Sequence, residues 1–352
     1  MLLVAFLQAS NCSNYTGSWR HPDTVPGFLD LEFYQGIAAT LEQGKFHLAF
    51  IDDRLAMPDR FGDSFEEAVE HGVRVVKLDL VPIITAMGLA TKHLGLGATY
   101  STTYYPPFHV ARLFASLDHF TKGRVAWNVV TSLNDSEARN FGVAEHLEHD
   151  DRYDVADEFM QATAELWDSW EDGAVLLDKQ TGRFADPAKV HAINHVGKHF
   201  DVAGPHLSEP SPQRTPLLFQ AGSSTRGRSF AAEHAECVFI VDSRRILTGA
   251  ASGIADIQGQ AVRNGRRPED VLFFQGLSPV VGGTEAEAKA KEAEYLEQFS
   301  TEGALAHLSG SIGVDLAAID LDKPLDTIDT RGLRGMVKGL IESNPDQTQT
   351  FR

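Results

Sequence analysis

Seven short runs rich in Val, Ile, Leu and Phe recur along this chain with helix-like stretches between them, and that alternation constrains the fold more than any other feature. The runs span 2–7, 46–51, 94–100, 124–130, 215–221, 236–241 and 271–281. They do not alternate cleanly between apolar and polar residues, which is how strands buried on both faces read. Helical patterns occupy 31–44, 80–93 and 109–123, and the last two close on basic residues near a glycine, a helix stop signal. Strands that alternate with helices predict a parallel α/β sheet, and seven in a row without reversal favour a (β/α) barrel over an open doubly wound sheet. The 352 residues read as a single domain, 1–352, with polar excursions at about 171–214 and 300–330. The opening "MLLVAFLQAS" lacks a basic start and reads as a first core strand rather than a signal peptide.

Net charge bounds the partners. With 31 basic against 49 acidic side chains, a net −18, the chain is not expected to bind nucleic acid or an anionic membrane. No stretch approaches the ~18 to 20 apolar residues of a membrane span. Cys12 and Cys237 are the two cysteines, too few for a disulfide framework, so the cytoplasm is the expected compartment.

In a parallel barrel, ligands bind where the strands end. Those ends carry neutral donors and acceptors, aromatics and a few isolated charges, which suit a flat, polar-edged ligand better than a metal. "RVAWNVV" (124–130) holds Asn128 inside an apolar run, and Thr131, Ser132, Asn134 and Asp135 follow. "QAGSSTRGR" (220–228) runs from a strand through Gly222, Ser223 and Ser224 into a helical stretch, the arrangement that holds an anion on backbone amides and hydroxyls; Arg226 or Arg228 would add charge. The same tripeptide also serves as a plain turn. His149 and Tyr153 lie one turn apart at the start of an amphipathic helix, either facing a pocket or simply opening a capped core helix. His191, His195 and His199 recur at intervals of four, but Gly197 and "FDVAGP" point to a hairpin that loses the alignment, so no metal site is expected. Cys12 near His21 reads better as a buried thiol than as a nucleophile with its base.

Together, "GSWRHPD" (17–23), "TKHLGLGATYSTTYYPPFHVARLFASLDHFTKGRVAWNVVTS" (91–132), "NDSEARNFG" (134–142), "HDDRYDVADEF" (149–159) and "QAGSSTRG" (220–227) resemble the bacterial luciferase-like flavin monooxygenases. The similarity runs to the branch containing nitrilotriacetate, dibenzothiophene-sulfone and long-chain alkane monooxygenases. It implies a (β/α)8 TIM-type barrel with insertions, apparently lacking its last strand and helix, since members usually continue beyond the point reached here. It also implies reduced FMN delivered by a separate NAD(P)H-dependent flavin reductase, with O2 as co-substrate. One oxygen atom would enter a small organic substrate through a flavin C4a-hydroperoxide, and the two excursions would be lids that keep water out. Carried onto this chain, the isoalloxazine would lie against Asp53, Thr99 and Asn128. His149 and Tyr153 would sit near the phosphate held by Ser223 and Ser224, while Cys12, Trp19, His21 and Ser132 would line the substrate side. His21 is the best single candidate for handling protons. The resemblance implies a homodimer or homotetramer. Three other readings stay open: a deazaflavin-dependent oxidoreductase, an inactive flavin-binding protein lacking the C-terminal barrel segment, and a phosphosugar-type barrel enzyme.

Overall fold

The computed structural model describes residues 1–10, 16–240, 249–328 and 350–351, and for 249–251 the backbone alone. The chain opens with β1 (Val4–Gln8), α1 (Leu31–Gln43), β2 (Leu48–Asp52), α2 (Glu66–Glu70), α3 (Leu80–Ala90), β3 (Gly95–Ser101), α4 (Pro107–Thr121) and β4 (Val125–Val130). Helices α5 (Asp135–Asn140) and α6 (His149–Asp168) follow, then the short hairpins β5 (Val175–Asp178) with β6 (Arg183–Ala185) and β7 (His195–Val196) with β8 (Asp201–Val202). The alternation resumes with β9 (Leu217–Gln220), α7 (Thr225–His234), β10 (Cys237–Ile240), α8 (Gly249–Arg263) and β11 (Leu272–Gln275), and α9 (Glu285–Glu297) and α10 (Thr301–Ile312) come last. No described helix is long and apolar enough to cross a membrane.

All seven expected runs contribute a strand, and they form one parallel sheet in the order β1-β2-β3-β4-β9-β10-β11. The sheet curls. Phe6 on β1 and Phe239 on β10 bring their ring centroids within 6.0 Å although four strands separate them in the sheet. Phe50 touches Phe6 at 5.5 Å and Phe219 at 5.5 Å, and Phe219 reaches Phe274 at 5.7 Å. These rings fill the inside of an incomplete barrel. β3 gives them room, because a Cβ on Gly97 would lie 3.3 Å from the Leu48 side chain and 3.5 Å from that of Phe50. Among the described residues no eighth strand joins the sheet, and Phe6 on β1 and Leu272 on β11 stay 45% and 44% exposed.

The outer face of the sheet carries Leu96, Ala98, Tyr100, Val125, Trp127, Val129 and Leu218, packed under α1, α3, α4 and α6 in the largest apolar cluster. Trp127 is fully buried among Phe114, Phe159 and Trp167, and its ring N–H donates to the Tyr100 carbonyl at 3.0 Å. In β4, successive side chains therefore alternate between these two layers, with Ala126 and Asn128 inward. That double burial removes the polar alternation an exposed strand would show.

Three boundaries differ from expectation. The run 271–281 stops as a strand at Gln275; Gly276 follows, and Pro279 has no N–H for a ladder. α3 ends at Ala90, because the amides of Lys92, His93 and Leu94 turn to the Glu42 carboxylate at 2.6 to 3.1 Å. Residues 300–330 are not polar throughout, since α10 buries Ala306 and Ile312 and packs on α2. In the 171–214 stretch, the Glu158 carboxylate of α6 accepts the amides of Lys198, His199 and Phe200, and His195 bonds Glu165 at 2.9 Å. His191 instead pairs with Glu171 at 2.8 Å, while Glu158 serves both the His199 amide and, at 3.6 Å, the His195 ring.

Arg124 ties the helical layer together at the base of β4. Its guanidinium donates to the carbonyls of Gly88, Thr91, Leu94 and Thr121 and to the Thr91 hydroxyl, at 2.7 to 3.2 Å. We expect Arg124→Met to lower unfolding free energy by about 3 kcal/mol, because several buried carbonyls lose their donor at once. Urea denaturation checks this, and a loss under about 1 kcal/mol would mean that water replaces the guanidinium.

Candidate active site

The carboxyl ends of β2, β4 and β9 and the first turns of α6 and α7 enclose a cavity of about 480 Å³. Its β9 side is the stretch Gln220–Ser224. A Cβ on Gly222 would run into the Gln220 amide, come within 2.6 Å of the Tyr153 hydroxyl and within 3.0 Å of Gly227 Cα. Only glycine fits there. Ser224 caps α7, its hydroxyl accepting the Gly227 amide at 3.0 Å. This loop thus brings bare backbone, two hydroxyls and a helix N-terminus to one end of the cavity. Arg226 and Arg228, expected to supply charge, are already engaged. Arg226 pairs with Asp154 at 3.0 Å and with Asp157, while Arg228 pairs with Asp256 at 2.6 Å and donates to the Ser223 carbonyl at 2.8 Å. Asp157, Glu233 and His234 also gather close enough to hold a cation, and the Arg226 guanidinium already lies on Asp157.

Glu137 builds the opposite wall. From the first turn of α5 its carboxylate accepts the amides of Leu55, Leu133 and Asn134 at 3.0 to 3.1 Å, drawing the loops after β2 and β4 together. Ser132 adopts a left-handed backbone (φ 56) and its hydroxyl bonds that of Ser101 at 3.0 Å.

The floor is polar. The Thr99 hydroxyl donates to the Ile51 carbonyl at 2.9 Å and accepts the Asn128 amide at 2.9 Å. Asn128 Oδ1 is left buried without a hydrogen-bond donor. A small recess lined by Asp53, Thr99, Tyr105, Ser132 and Glu137 adjoins the cavity. Asp53 meets Lys77 at 3.3 Å and the Arg54 amide at 2.8 Å. Burial nevertheless dominates and pushes its carboxyl up from 3.8 to about 6.

Asp53, Ser132, His149, Tyr153, Ser223 and Ser224 line the cavity together. Thr99 lines the recess, and Asn128 lies one hydrogen bond beyond it. Trp19 and His21 line neither space. The Trp19 ring N–H donates to the His71 carbonyl at 3.0 Å, and the His21 ring packs at a tilt on Tyr295, centroids 4.9 Å apart, with Glu294 at 3.4 Å. Cys12 falls outside the described residues. None of 171–214 borders either space, because Glu158 and Glu165 hold that excursion to α6. The 300–330 stretch comes nearer through Arg54, whose guanidinium reaches the Ser311 hydroxyl of α10 at 3.4 Å. Sequence reasoning passed over Glu137, Arg54 and Arg152. The spacing Asn134-x-x-Glu137 is a capping-box signal for the first of these, and Arg54 stands in the "DDR" that ends β2; nothing local marks Arg152.

A parallel half-barrel with a glycine–serine loop that runs into a helix N-terminus at its strand ends defines a broad class of cofactor-using barrel enzymes. Within that class the chain belongs to the luciferase-like monooxygenase family, whose model matches residues 12–329, and it is a monooxygenase of that family. It is 46% identical over 331 residues to dibenzothiophene-sulfone monooxygenase of Rhodococcus erythropolis, covering 93% of this chain and 72% of that one. It is 40% identical to nitrilotriacetate monooxygenase component A of Aminobacter aminovorans, covering 96% and 75%. The crystal structure of a riboflavin lyase with modified FMN and riboflavin superposes with a TM-score of 0.91 at 35% identity, covering 98% and 78%.

The raised Asp53 value has a stability signature. The stability contributed by the neutral acid is complete below 3.8 and lost as pH rises through about 6. We therefore expect Asp53→Asn, neutral throughout, to gain stability relative to wild type between about pH 4 and about pH 7. Paired melts across that range measure it, and a constant difference would assign the carboxyl an ordinary value.

Proposed function

We propose that this protein is the oxygenating component of a two-component system. A separate NAD(P)H-dependent flavin reductase supplies it with reduced FMN, and it inserts one atom of O2 into a small organic substrate. The observation that carries this reading is a single cavity with an anion cradle at one end and buried polar groups, one of them an orphaned acceptor, beneath the other. Its volume of about 480 Å³ lies within the ordinary range for a cofactor pocket.

The residues present fit the cofactor. Ser223, Ser224 and the amides that open α7 would hold the phosphate, where Gly222 keeps side-chain bulk away. Tyr153 and His149, their rings 5.2 Å apart, would flank it. Asn128, with its unpartnered Oδ1, would take a ring N–H of the isoalloxazine, with Thr99 holding the amide in place and Asp53 near the same polar edge. Bound reduced FMN supplies the electrons that activate O2.

The chain itself has three tasks in this reading. It excludes water, through the closely packed walls that Glu137 draws together. It keeps a neutral donor beside the phosphate end, because burial raises the Tyr153 hydroxyl and it stays protonated. Finally, it offers one carboxyl, on Asp53, whose value of about 6 lets it hold or release a proton near neutrality.

Titration of reduced FMN under anaerobic conditions, followed by protein fluorescence, tests the cradle. We expect Ser223→Ala/Ser224→Ala to weaken binding by about 10- to 100-fold, the worth of two hydrogen bonds to a charged group. Supplied with a flavin reductase and O2, the wild type should oxygenate at least one of dibenzothiophene sulfone and nitrilotriacetate, the compounds its relatives are named for. Stoichiometric peroxide with every candidate left unchanged would count against the monooxygenase reading.

A further inference from the structure

Arg152 is the least expected residue of the cavity wall. It sits in the first turn of α6, where the helix dipole disfavours a cation, and it is only 7% exposed. No carboxylate lies within ion-pair distance of it among the described residues. Asp135 and Glu148 act on it only at longer range. Its one hydrogen-bond acceptor there is the Leu147 carbonyl, reached by Nη1 at 2.6 Å, and Nε is buried without any. A guanidinium has five N–H donors, so most of its capacity is unspent in a place where desolvation is costly.

Most other charged side chains of the cavity have close partners, and Arg54 reaches the Ser311 hydroxyl of α10 at 3.4 Å with Glu137 and Asp52 as its favourable charges. Arg226 is held by Asp154 and Asp157, Asp53 by Lys77, Asp150 by His149, and both Glu137 oxygens by backbone amides. Arg152 is thus a buried cation of the cavity wall with no carboxylate within ion-pair distance among the described residues.

Neighbouring residues of α6 face different walls. Tyr153 goes toward the β9–α7 loop, 3.4 Å from the Gln220 amide and 5.5 Å from the Phe230 ring centroid. Arg152 goes the other way, to the Leu147 carbonyl and toward Tyr104 after β3 and Asp135 after β4. Beside it His146, bonded through Nδ1 to the Tyr104 hydroxyl at 3.1 Å, also has a buried nitrogen, Nε2, without a partner.

We propose that Arg152 is a second anion-binding group of this cavity, seating a carboxylate or sulfonate of the organic substrate while the Gly222–Ser224 loop holds the flavin phosphate. The proposal deepens the oxygenase reading and rests on it for the word substrate; the binding of an organic anion does not. It makes the preferred substrate an organic acid, held by a planar fork that matches two oxygens.

Calorimetric titration of the FMN-loaded protein with benzenesulfonate and with succinate, and with neutral benzenesulfonamide as control, tests this. We expect at least one anion to bind and the sulfonamide not to compete. Arg152→Met should then weaken the anion by about ten-fold or more while FMN affinity moves less than about three-fold, and Arg152→Lys should recover part of the loss. Failure of both anions to bind wild type, or unchanged anion affinity in Arg152→Met, overturns the proposal. An equal loss of FMN affinity overturns it too, since Arg152 would then belong to the phosphate. Should Arg152→Met not fold, Arg152→Lys decides: weakened anion binding with unchanged FMN affinity supports the subsite, and unchanged anion binding overturns it. If wild type binds no FMN, the oxygenase reading fails by itself, and the same titrations on flavin-free protein still read Arg152.

Discussion

The central strands of the curled sheet have to satisfy two apolar layers at once, and the rest of the molecule follows from that demand. Outward residues meet the helices around Trp127, and inward ones meet the phenylalanines at the centre. Because side chains alternate strictly, a slip of one residue would exchange the two sets and bury neither well. Gly97 shows how tight the inner layer is, since even a methyl group there would press on Leu48. The register of the sheet, and with it the position of each strand end, is therefore set by packing far below the cavity.

Near the carboxyl rim of this interior, polar side chains arrive in pairs. Asn128 leans on Thr99, and Ser132 on Ser101. Carboxylates do a different job at the periphery. Glu42, Glu137 and Glu158 each gather amides from a distant segment, so one side chain substitutes for a whole turn of hydrogen-bonded backbone. Such clamps hold loops in place through hydrogen bonds, which is how a wall of irregular chain can border a cavity.

What was legible in the sequence was local. The strand runs, the Gly222–Ser224 loop with its following helix, and the odd presence of Asn128 inside β4 each announce themselves within a few residues. The resemblance to a known family then joined them. What could not be read depends on approach between segments far apart in the chain. Arg226 and Arg228 look free beside the cradle until α6 and α8 bring their aspartates. Trp19 and His21 look like pocket residues until His71 and α9 claim them. Arg152 looks like any surface arginine until the loops after β4 cover it. The tethering of the 171–214 excursion to α6 was hidden for the same reason, because Glu158 lies some forty residues before the amides it holds.

The neutralised arginines beside the cradle bear on how long a ligand stays. A phosphate gripped by bare guanidinium charge is slow to let go and sensitive to salt, whereas one met by hydroxyls and amides, with nearby cations already committed elsewhere, departs easily. A nucleotide passed between two separate proteins in every catalytic round has to leave its host as readily as it enters. A grip of this kind favours brief residence, so the loop would behave as a docking berth for a shuttle rather than as a permanent mooring.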